Sequence, residues 1–430
     1  MDAPLTRFQE IIYEKVTQAT PTARILQLAL CVRIEGMHET EAFERAAARL
    51  TARHPILCSR LDIKDERLLQ REEGGIPSFE EIDVGSDEAQ VVATMSAHAD
   101  KPMDLFHENP FRFVVGRARA DLVFLLLTGH HIFFDEYSLR ALLAEYLDLV
   151  FDPASVSDTV ADWDSGDSSY FSWCTQLDQM RRDGTFARNA RYWLEYLGGV
   201  DPVIHLHDRK NDPEFQSLTV LPFEFPAAAL QASLRRASRL GVTHFALTLS
   251  AIFFALRQAT SQETILLNIV ANTRRPPFDR TIGQFAEAFL LKHDSRDDHG
   301  DKMSDQNIKL VYSDVIKATR RYVSYAYFTE QLGWLQARRD KRFGASDVMV
   351  NYMPGMAEVS AGKSGPREIS AVQLSERVRP SRSAFYGLVM SFTFRPAGDS
   401  FWGYMEYESS LVDSQLAQAI VSSVQDTLSQ

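Results

Sequence analysis

The run Leu122 to Leu127 (LVFLLL) has no polar side chain, and polarity returns only at Thr128, Gly129, His130 and His131, just before Asp135. An unbroken apolar run of this length ending in a turn reads as a buried strand. Leu139, Leu142, Leu143, Tyr146, Leu147 and Val150 then recur at helical spacing, and Ser138 is expected to open that helix. Two imidazoles and a carboxylate therefore sit on a strand-to-helix turn, where a buried scaffold presents reactive groups to a cleft. By themselves such histidines are as often structural as chemical.

The 430 residues are 45% hydrophobic, enough for two ordinary cores, whereas one core of that size would be unusual. Cys31, Cys58 and Cys174 are isolated, odd in number and set in apolar patterns, which speaks against a disulfide framework or a zinc site and for a reducing, cytoplasmic setting. The N-terminal MDAPLTRFQEIIYEK has no signal-peptide pattern, and no apolar run approaches the ~20 residues that span a bilayer. A soluble, monomeric chain is the expectation. A formal net charge of −12 makes nucleic acid a poor candidate partner, although Arg181, Arg182, Arg188 and Arg191 form a small basic cluster. No glycine-rich phosphate loop, CxxC, HExxH or GxSxG is present, so nucleotide, metal and serine-hydrolase chemistry have no residue support. His54, His205 and His207 read as cap or surface histidines.

Alternation from Leu26 to Ile34 predicts a half-buried strand, followed by a helix that Thr40 could cap and whose stripe is Phe43, Ala46, Ala47 and Leu50. Phe111 to Val115, a polar turn from Arg117 to Asp121, and the apolar run predict a hairpin. These elements on one core make an α+β sandwich. The acidic stretch Pro153 to Ser169 is the candidate linker, which divides the chain into an N-terminal lobe 1–170 and a C-terminal lobe 171–430. In the second lobe, a buried helix is expected over Thr243 to Ala259, and strands over Ile265–Val270, Val348–Tyr352, Leu388–Phe394 and Trp402–Tyr407. A closing helix starts at Asp413. Two loops, Asp294–Asp305 and Gly355–Pro366, look mobile.

With these residues in view, the chain resembles the condensation domains of nonribosomal peptide synthetases, within the chloramphenicol-acetyltransferase-like superfamily. Their signature is two histidines, three residues, an aspartate and usually a glycine; here it is His130, His131, Asp135 and then Glu136. Pro4 to Gln9, Arg53 to Leu57, Pro102 to Leu105, Asn109 to Arg112, Tyr192-Trp193, Gly241 to Thr243, Ile282 to Phe285, and Tyr407 with Leu411 and Asp413 match further family segments in order. The resemblance implies two acetyltransferase-like lobes in a V with an active-site tunnel between them. It implies a donor acyl or peptidyl chain on the phosphopantetheine arm of a carrier protein, and no bound cofactor. The chain starts and stops at the family's domain boundaries, which suggests a free-standing domain or an excised one.

Joining a thioester to an amine or alcohol requires aligned reactants, a path for one proton and stabilisation of an oxyanion. His131 is the candidate for the proton. His130 is placed in the catalytic set, with an orienting role in the turn preferred. Asp135 joins the catalytic set too, with a structural role preferred: it is expected to be buried, and a buried carboxylate needs a cation. The resemblance supplies an arginine ahead of Ile282; ungapped counting lands on Thr273, which leaves Arg274 or Arg275. Ser138, Glu136 and Glu287 are candidate substrate contacts. Glu136 stands where the family has glycine, and either narrows the acceptor entrance with a negative charge or only favours the helix start. Glu287 stands for the family's asparagine; the plain reading is drift at a tolerant position, and the sharper one an unusual acceptor, a small free molecule or a cationic amine, or else a domain that has lost catalysis. The expected activity is transfer of a carrier-bound acyl or peptidyl group to an amine or hydroxyl. The rivals are an acyl-CoA-dependent acyltransferase and a catalytically silent recruitment module.

Overall fold

A computed structural model describes residues 2–17, 26–36, 39–154, 156, 166–206, 218–294, 303–325, 327, 346–353, 369–370, 388–397 and 400–430. His207, most of the acidic stretch 153–169, most of the loop 294–305 and all of 355–366 lie outside those residues. The chain forms two compact units. The first contains Met1–Asp183, Asn272–Ala286 and Glu358–Arg382, and the second contains Gly184–Ala271, Glu287–Ala357 and Ser383–Gln430. Sequence reading divides the chain once, after residue 170. Here the first unit extends to Asp183 and takes back two later segments, which no local composition signal reports.

The first unit runs through β1 (Asp2–Pro4), α1 (Arg7–Thr17), β2 (Gln27–Glu35), α2 (Thr40–Arg53), β3 (Ser59–Lys64), β4 (Arg67–Glu72), β5 (Ser78–Asp83), α3 (Glu88–Ala99), β6 (Phe111–Arg119), β7 (Leu122–His130), α4 (Glu136–Phe151) and α5 (Tyr170–Arg182). Its small sheet has the order β1, β4, β3, and its larger sheet the order Ile369–Ser370, β2, β7, β6, β5. The apolar run is the reason β7 is central. It pairs antiparallel with β2 and β6 along its whole length, and every residue in it is buried. On one face Tyr146 of α4 packs against Phe43 of α2 and Phe113 of β6. Alternation sends Val114 and Leu126 to the other face, where Val91 and Met95 of α3 cover them.

Three local expectations change. β6 continues to Arg119, leaving Ala120 and Asp121 as the turn, because the guanidinium groups of Arg117 and Arg119 find the carboxylates of Glu81 and Asp121 and leave the strand extended. Thr40 does not cap α2: the N-cap is Glu39, and the Thr40 hydroxyl instead donates to Glu81. Ser138 does not open α4 either. Asp135 is the N-cap and accepts from the Ser138 N–H.

The second unit contains α6 (Thr185–Tyr196), β8 (Leu218–Phe225), α7 (Ala227–Leu240), α8 (His244–Thr260), β9 (Thr264–Asn272), β10 (Ala286–Asp294), α9 (Asp305–Arg320), β11 (Val348–Tyr352), the hairpin Met390–Ala397 with Ser400–Glu408, and α10 (Ser414–Ser429). Its sheet has the order β10, β9, β11, the two hairpin strands, then β8. The helix expected from Thr243 is there, capped by Thr243 and buried on nearly every side among α7, α9 and α10. Asp413 caps α10.

Between β9 and β10 the chain leaves for the first unit and returns. Aromatic packing holds this excursion on α5. Trp173 lies 5.2 Å from Phe278 and 5.4 Å from Phe285 between ring centroids, and Tyr170 lies 5.3 Å from Phe285. The Tyr170 hydroxyl donates to the Gln284 carbonyl and the Thr281 hydroxyl to the Ser168 carbonyl. Gly283 must lack a side chain, since a Cβ there would fall 2.2 Å from the Tyr170 ring. Gly283→Ala is therefore expected to destabilise the protein by about 1–3 kcal/mol through overpacking. Chemical denaturation checks this, and Tyr170→Leu in the same chain should give a clearly less than additive loss; full additivity would show that the ring is not the obstacle.

Candidate active site

β7 ends at His130, and the chain reverses through residues 131–135 to start α4 at Glu136. The reversal is made by His130 itself. Its carbonyl accepts from the N–H groups of both Phe133 and Phe134, and its Nδ1 accepts from the Ile132 N–H at 3.2 Å. That places its ring proton on Nε2. Burial, and then the neighbouring His131, lower its pKa to about 3, so the ring stays neutral. His130 is thus a turn-building residue, and the catalytic part of its expectation has no geometric support.

His131 is only partly buried. Its backbone N–H donates to the Leu26 carbonyl at 2.6 Å. Its Nδ1 lies 2.9 Å from the Phe134 carbonyl oxygen, which can only accept, so Nδ1 carries the proton and Nε2 the lone pair. The ring of Phe8 meets the imidazole edge-on at 6.3 Å. This is the tautomer and restraint that a proton acceptor needs.

Asp135 answers the question of the cation. Arg274 grips its carboxylate bidentately, Nη1 to Oδ2 at 2.7 Å and Nη2 to Oδ1 at 3.0 Å, with both side chains almost wholly excluded from solvent. Backbone N–H groups of Ser138 and Phe285 complete the carboxylate's set of acceptors. The guanidinium is sandwiched between the rings of Tyr137 and Phe285, 4.4 and 4.3 Å from their centroids. Its remaining donors reach the Thr281 and Gly283 carbonyls, the Asn272 side chain and the Ser138 hydroxyl. Burial alone would raise the Asp135 carboxyl, but the Arg274 charge and these hydrogen bonds outweigh it and hold the pKa below the ordinary value.

The other expected site residues fall elsewhere. Arg275 is not the partner of Asp135; it lies over the Trp173 ring. The Ser138 hydroxyl is completely buried, receives Arg274 and the Gly283 N–H, and donates to the Gly283 carbonyl, so it braces the ion pair rather than touching substrate. Glu136 is paired with Arg140 one turn on, its Oε1 accepting from Nε at 2.9 Å and Nη2 at 2.7 Å. A matched charge does not repel a phosphate, and the electrostatic gate expected from it loses its basis. Glu287 lies in the second unit, 5% exposed, with Tyr322 and the backbone of Ala288 and Tyr325 around its carboxyl. Burial pushes its pKa up to about 8. His54 is a cap, not a surface residue: it is the C-cap of α2, its N–H donating to the Leu50 carbonyl, and its ring is fully buried against Glu145, which also binds Arg53. His205 is exposed beside Asp201. Among the described residues no three His, Cys, Asp or Glu side chains come together as a metal-ligand set.

One contributor went unread in the sequence. The Gln9 side chain donates from Nε2 to the Ile132 carbonyl at 2.7 Å, from 123 residues away. The signal was Thr6-x-x-Gln9, a capping-box spacing at the start of α1.

The model of the condensation-domain family matches residues 1–430. The chain belongs to that family. Similar curated proteins include phosphinothricin tripeptide synthetase PhsC of Streptomyces viridochromogenes, 25% identical over 92% of this chain, and N-(5-amino-5-carboxypentanoyl)-L-cysteinyl-D-valine synthase of Amycolatopsis lactamdurans, 26% identical over 59%. This chain spans only 36% and 7% of those proteins. Among solved structures, the condensation domain of the monacolin K polyketide synthase MokA superposes with a TM-score of 0.80 at 15% identity, covering 100% of this chain and 97% of that one. The X-domain from teicoplanin biosynthesis does so at 0.78 and 18%, covering 99% and 94%. At such identities these structures establish the fold, which is the two-unit chloramphenicol-acetyltransferase-like α+β fold of condensation domains.

Two outcomes test the site of this condensation domain. Asp135→Ala strands the buried Arg274 and should lower stability by about 3–5 kcal/mol, whereas Asp135→Ala paired with Arg274→Met should recover much of the loss; equal instability of both variants would refute the pairing as the cause. The second concerns pH. Below pH 4.5 Glu287 is neutral folded and unfolded, and above that the unfolded chain ionises while the folded carboxyl holds its proton until pH about 8. Stability from this group therefore falls as pH rises through that window, by up to about 1.4 kcal/mol per unit. Denaturant midpoints of Glu287→Gln, measured from pH 5 to 8, should lack that slope.

Proposed function

We propose that this condensation domain moves an acyl or peptidyl group from the phosphopantetheine thioester of a carrier protein to an amine or hydroxyl acceptor, forming an amide or an ester. The acceptor heteroatom attacks the thioester carbonyl, the new C–N or C–O bond forms and the C–S bond breaks. The acceptor's proton passes to Nε2 of His131 and from there to the departing thiolate. The observation that carries this reading is the fixed tautomer of His131, whose Nδ1–H is committed to the Phe134 carbonyl. With Nδ1 holding the proton, Nε2 is the nitrogen that can accept one. Alignment of the two reactants supplies much of the remaining acceleration. No step needs a metal or nucleotide.

A second reading takes the donor from coenzyme A. It draws on the starter condensation domain of rhizomide synthetase, 17% identical with a TM-score of 0.78, which has been solved with C8-CoA. Carrier protein and CoA present the same phosphopantetheine thioester, so the experiment uses both. Octanoyl-carrier protein and octanoyl-CoA are each incubated with the domain, a panel of aminoacyl-carrier proteins and free amines, and followed by intact-mass spectrometry. Acyl loss from the carrier with product on an acceptor is the expected result, and His131→Ala should slow it by roughly 10²-fold or more without changing the melting temperature. Exclusive use of octanoyl-CoA would select the second reading. Acyl transfer unaffected in His131→Ala would remove the proton role, and no transfer from either donor would leave a silent module.

A further inference from the structure

Gln9 has no exposed surface and is fully engaged. Its Oε1 accepts from the Thr6 N–H at 2.9 Å, and its Nε2 donates to the Ile132 carbonyl at 2.7 Å and to the Gln70 Oε1 at 3.2 Å. The amide orientation is thereby forced, because Thr6 N–H needs an acceptor and the Ile132 carbonyl needs a donor. Gln70, equally buried, is itself held by donation to the Pro4 carbonyl and to the Cys174 Sγ. The site end of this network is the carbonyl of Ile132, one residue beyond His131. Phe8, the residue before Gln9, places its ring edge-on to the imidazole. One turn of α1 therefore restrains both the backbone after His131 and the face of its ring, while Leu26 and Phe134 hold its N–H and its Nδ1.

We propose that Gln9, supported by Phe8, is a positioning residue for His131, acting through the Ile132 carbonyl to fix the imidazole's orientation and tautomer. The inference rests on His131 being the proton carrier. The 132–133 peptide is held at one end by the Phe133 N–H, which donates to the His130 carbonyl at 2.9 Å, and the Ile132 N–H is taken by His130 Nδ1. Donation from Gln9 fixes the remaining group of that peptide, the Ile132 carbonyl: if the peptide turned, a buried amide N–H would lose its acceptor. Nothing in the chemistry requires Gln9 to touch substrate.

Gln9→Glu is the informative variant. It preserves size and the acceptor for Thr6 N–H, and assayed well above pH 8, where even a carboxyl as buried as that of Glu287 is ionised, it cannot donate to the Ile132 carbonyl. Thr6→Ala is the control, since it removes the hydroxyl that accepts from the Gln9 N–H and leaves the Ile132 contact in place. In Gln9→Glu, kcat for transfer from octanoyl-carrier protein should fall between about 10- and 100-fold, the size expected for a displacement near 1 Å, with KM for donor and acceptor held within about twofold. Thr6→Ala should lower the melting temperature while kcat stays within about twofold. Nitrogen NMR of His131 gives a readout independent of turnover: wild type should show a single Nδ1–H tautomer and Gln9→Glu a mixture. An unchanged tautomer and unchanged kcat in folded Gln9→Glu would overturn the proposal. A mixed tautomer with unchanged kcat would uphold the positioning and instead refute the proton role of His131, so the two failures are separable.

Discussion

The bidentate pair of Asp135 with Arg274 is the interaction on which the geometry of the site depends. It joins the start of α4 to a segment that leaves β9, enters the first unit and returns to β10. Such a pair gains little net stability over an apolar replacement, because desolvating two charges offsets their attraction. Its effect is on uniqueness. The guanidinium satisfies the Asp135 carboxylate, the Ser138 hydroxyl and the Thr281 and Gly283 carbonyls together, and a shift in register would strand several buried polar groups at once. The same carboxylate caps α4, so the ion pair also fixes where the helix begins and how the His131 loop leaves it.

Two buried carboxylates illustrate how environment, not residue type, sets charge. Asp135 faces a cation and two backbone donors, and stays ionised below its ordinary range. Glu287 is buried with hydroxyl and backbone groups, and holds its proton to about pH 8. The two histidines divide in the same way. His130 spends its Nδ1 lone pair inside the turn and is neutral by desolvation, whereas His131 spends its Nδ1 proton on a carbonyl and keeps its Nε2 lone pair. A single turn thus contains one imidazole that shapes it and one that is oriented for chemistry.

The sequence by itself determined the elements and the motif. LVFLLL, ending in a turn, reads as a strand covered on both faces, the 139–150 stripe as a helix with one buried side, and the His130, His131, Asp135 spacing places the histidines at their junction. Periodicity is a local property, so these survive inspection of a single chain. Cap identity was less legible. Thr40 and Ser138 are good capping residues, yet the capping position went to Glu39 and Asp135, because distant partners, Glu81 and Arg274, claimed the side chains.

What only the tertiary structure decided are the long-range pairings: Arg274 rather than Arg275 on Asp135, Ser138 as a brace, Glu136 neutralised by Arg140, and Gln9 on Ile132. Adjacent arginines have identical chemistry, and the choice between them is made by Trp173, Phe278, Phe285 and Tyr170, whose packing on α5 sets the register of the 272–286 segment. That register is a sum over contacts more than a hundred residues apart in the chain. No local pattern encodes it, because each contact exists only once α5 and the 272–286 segment, far apart in the chain, have already come together.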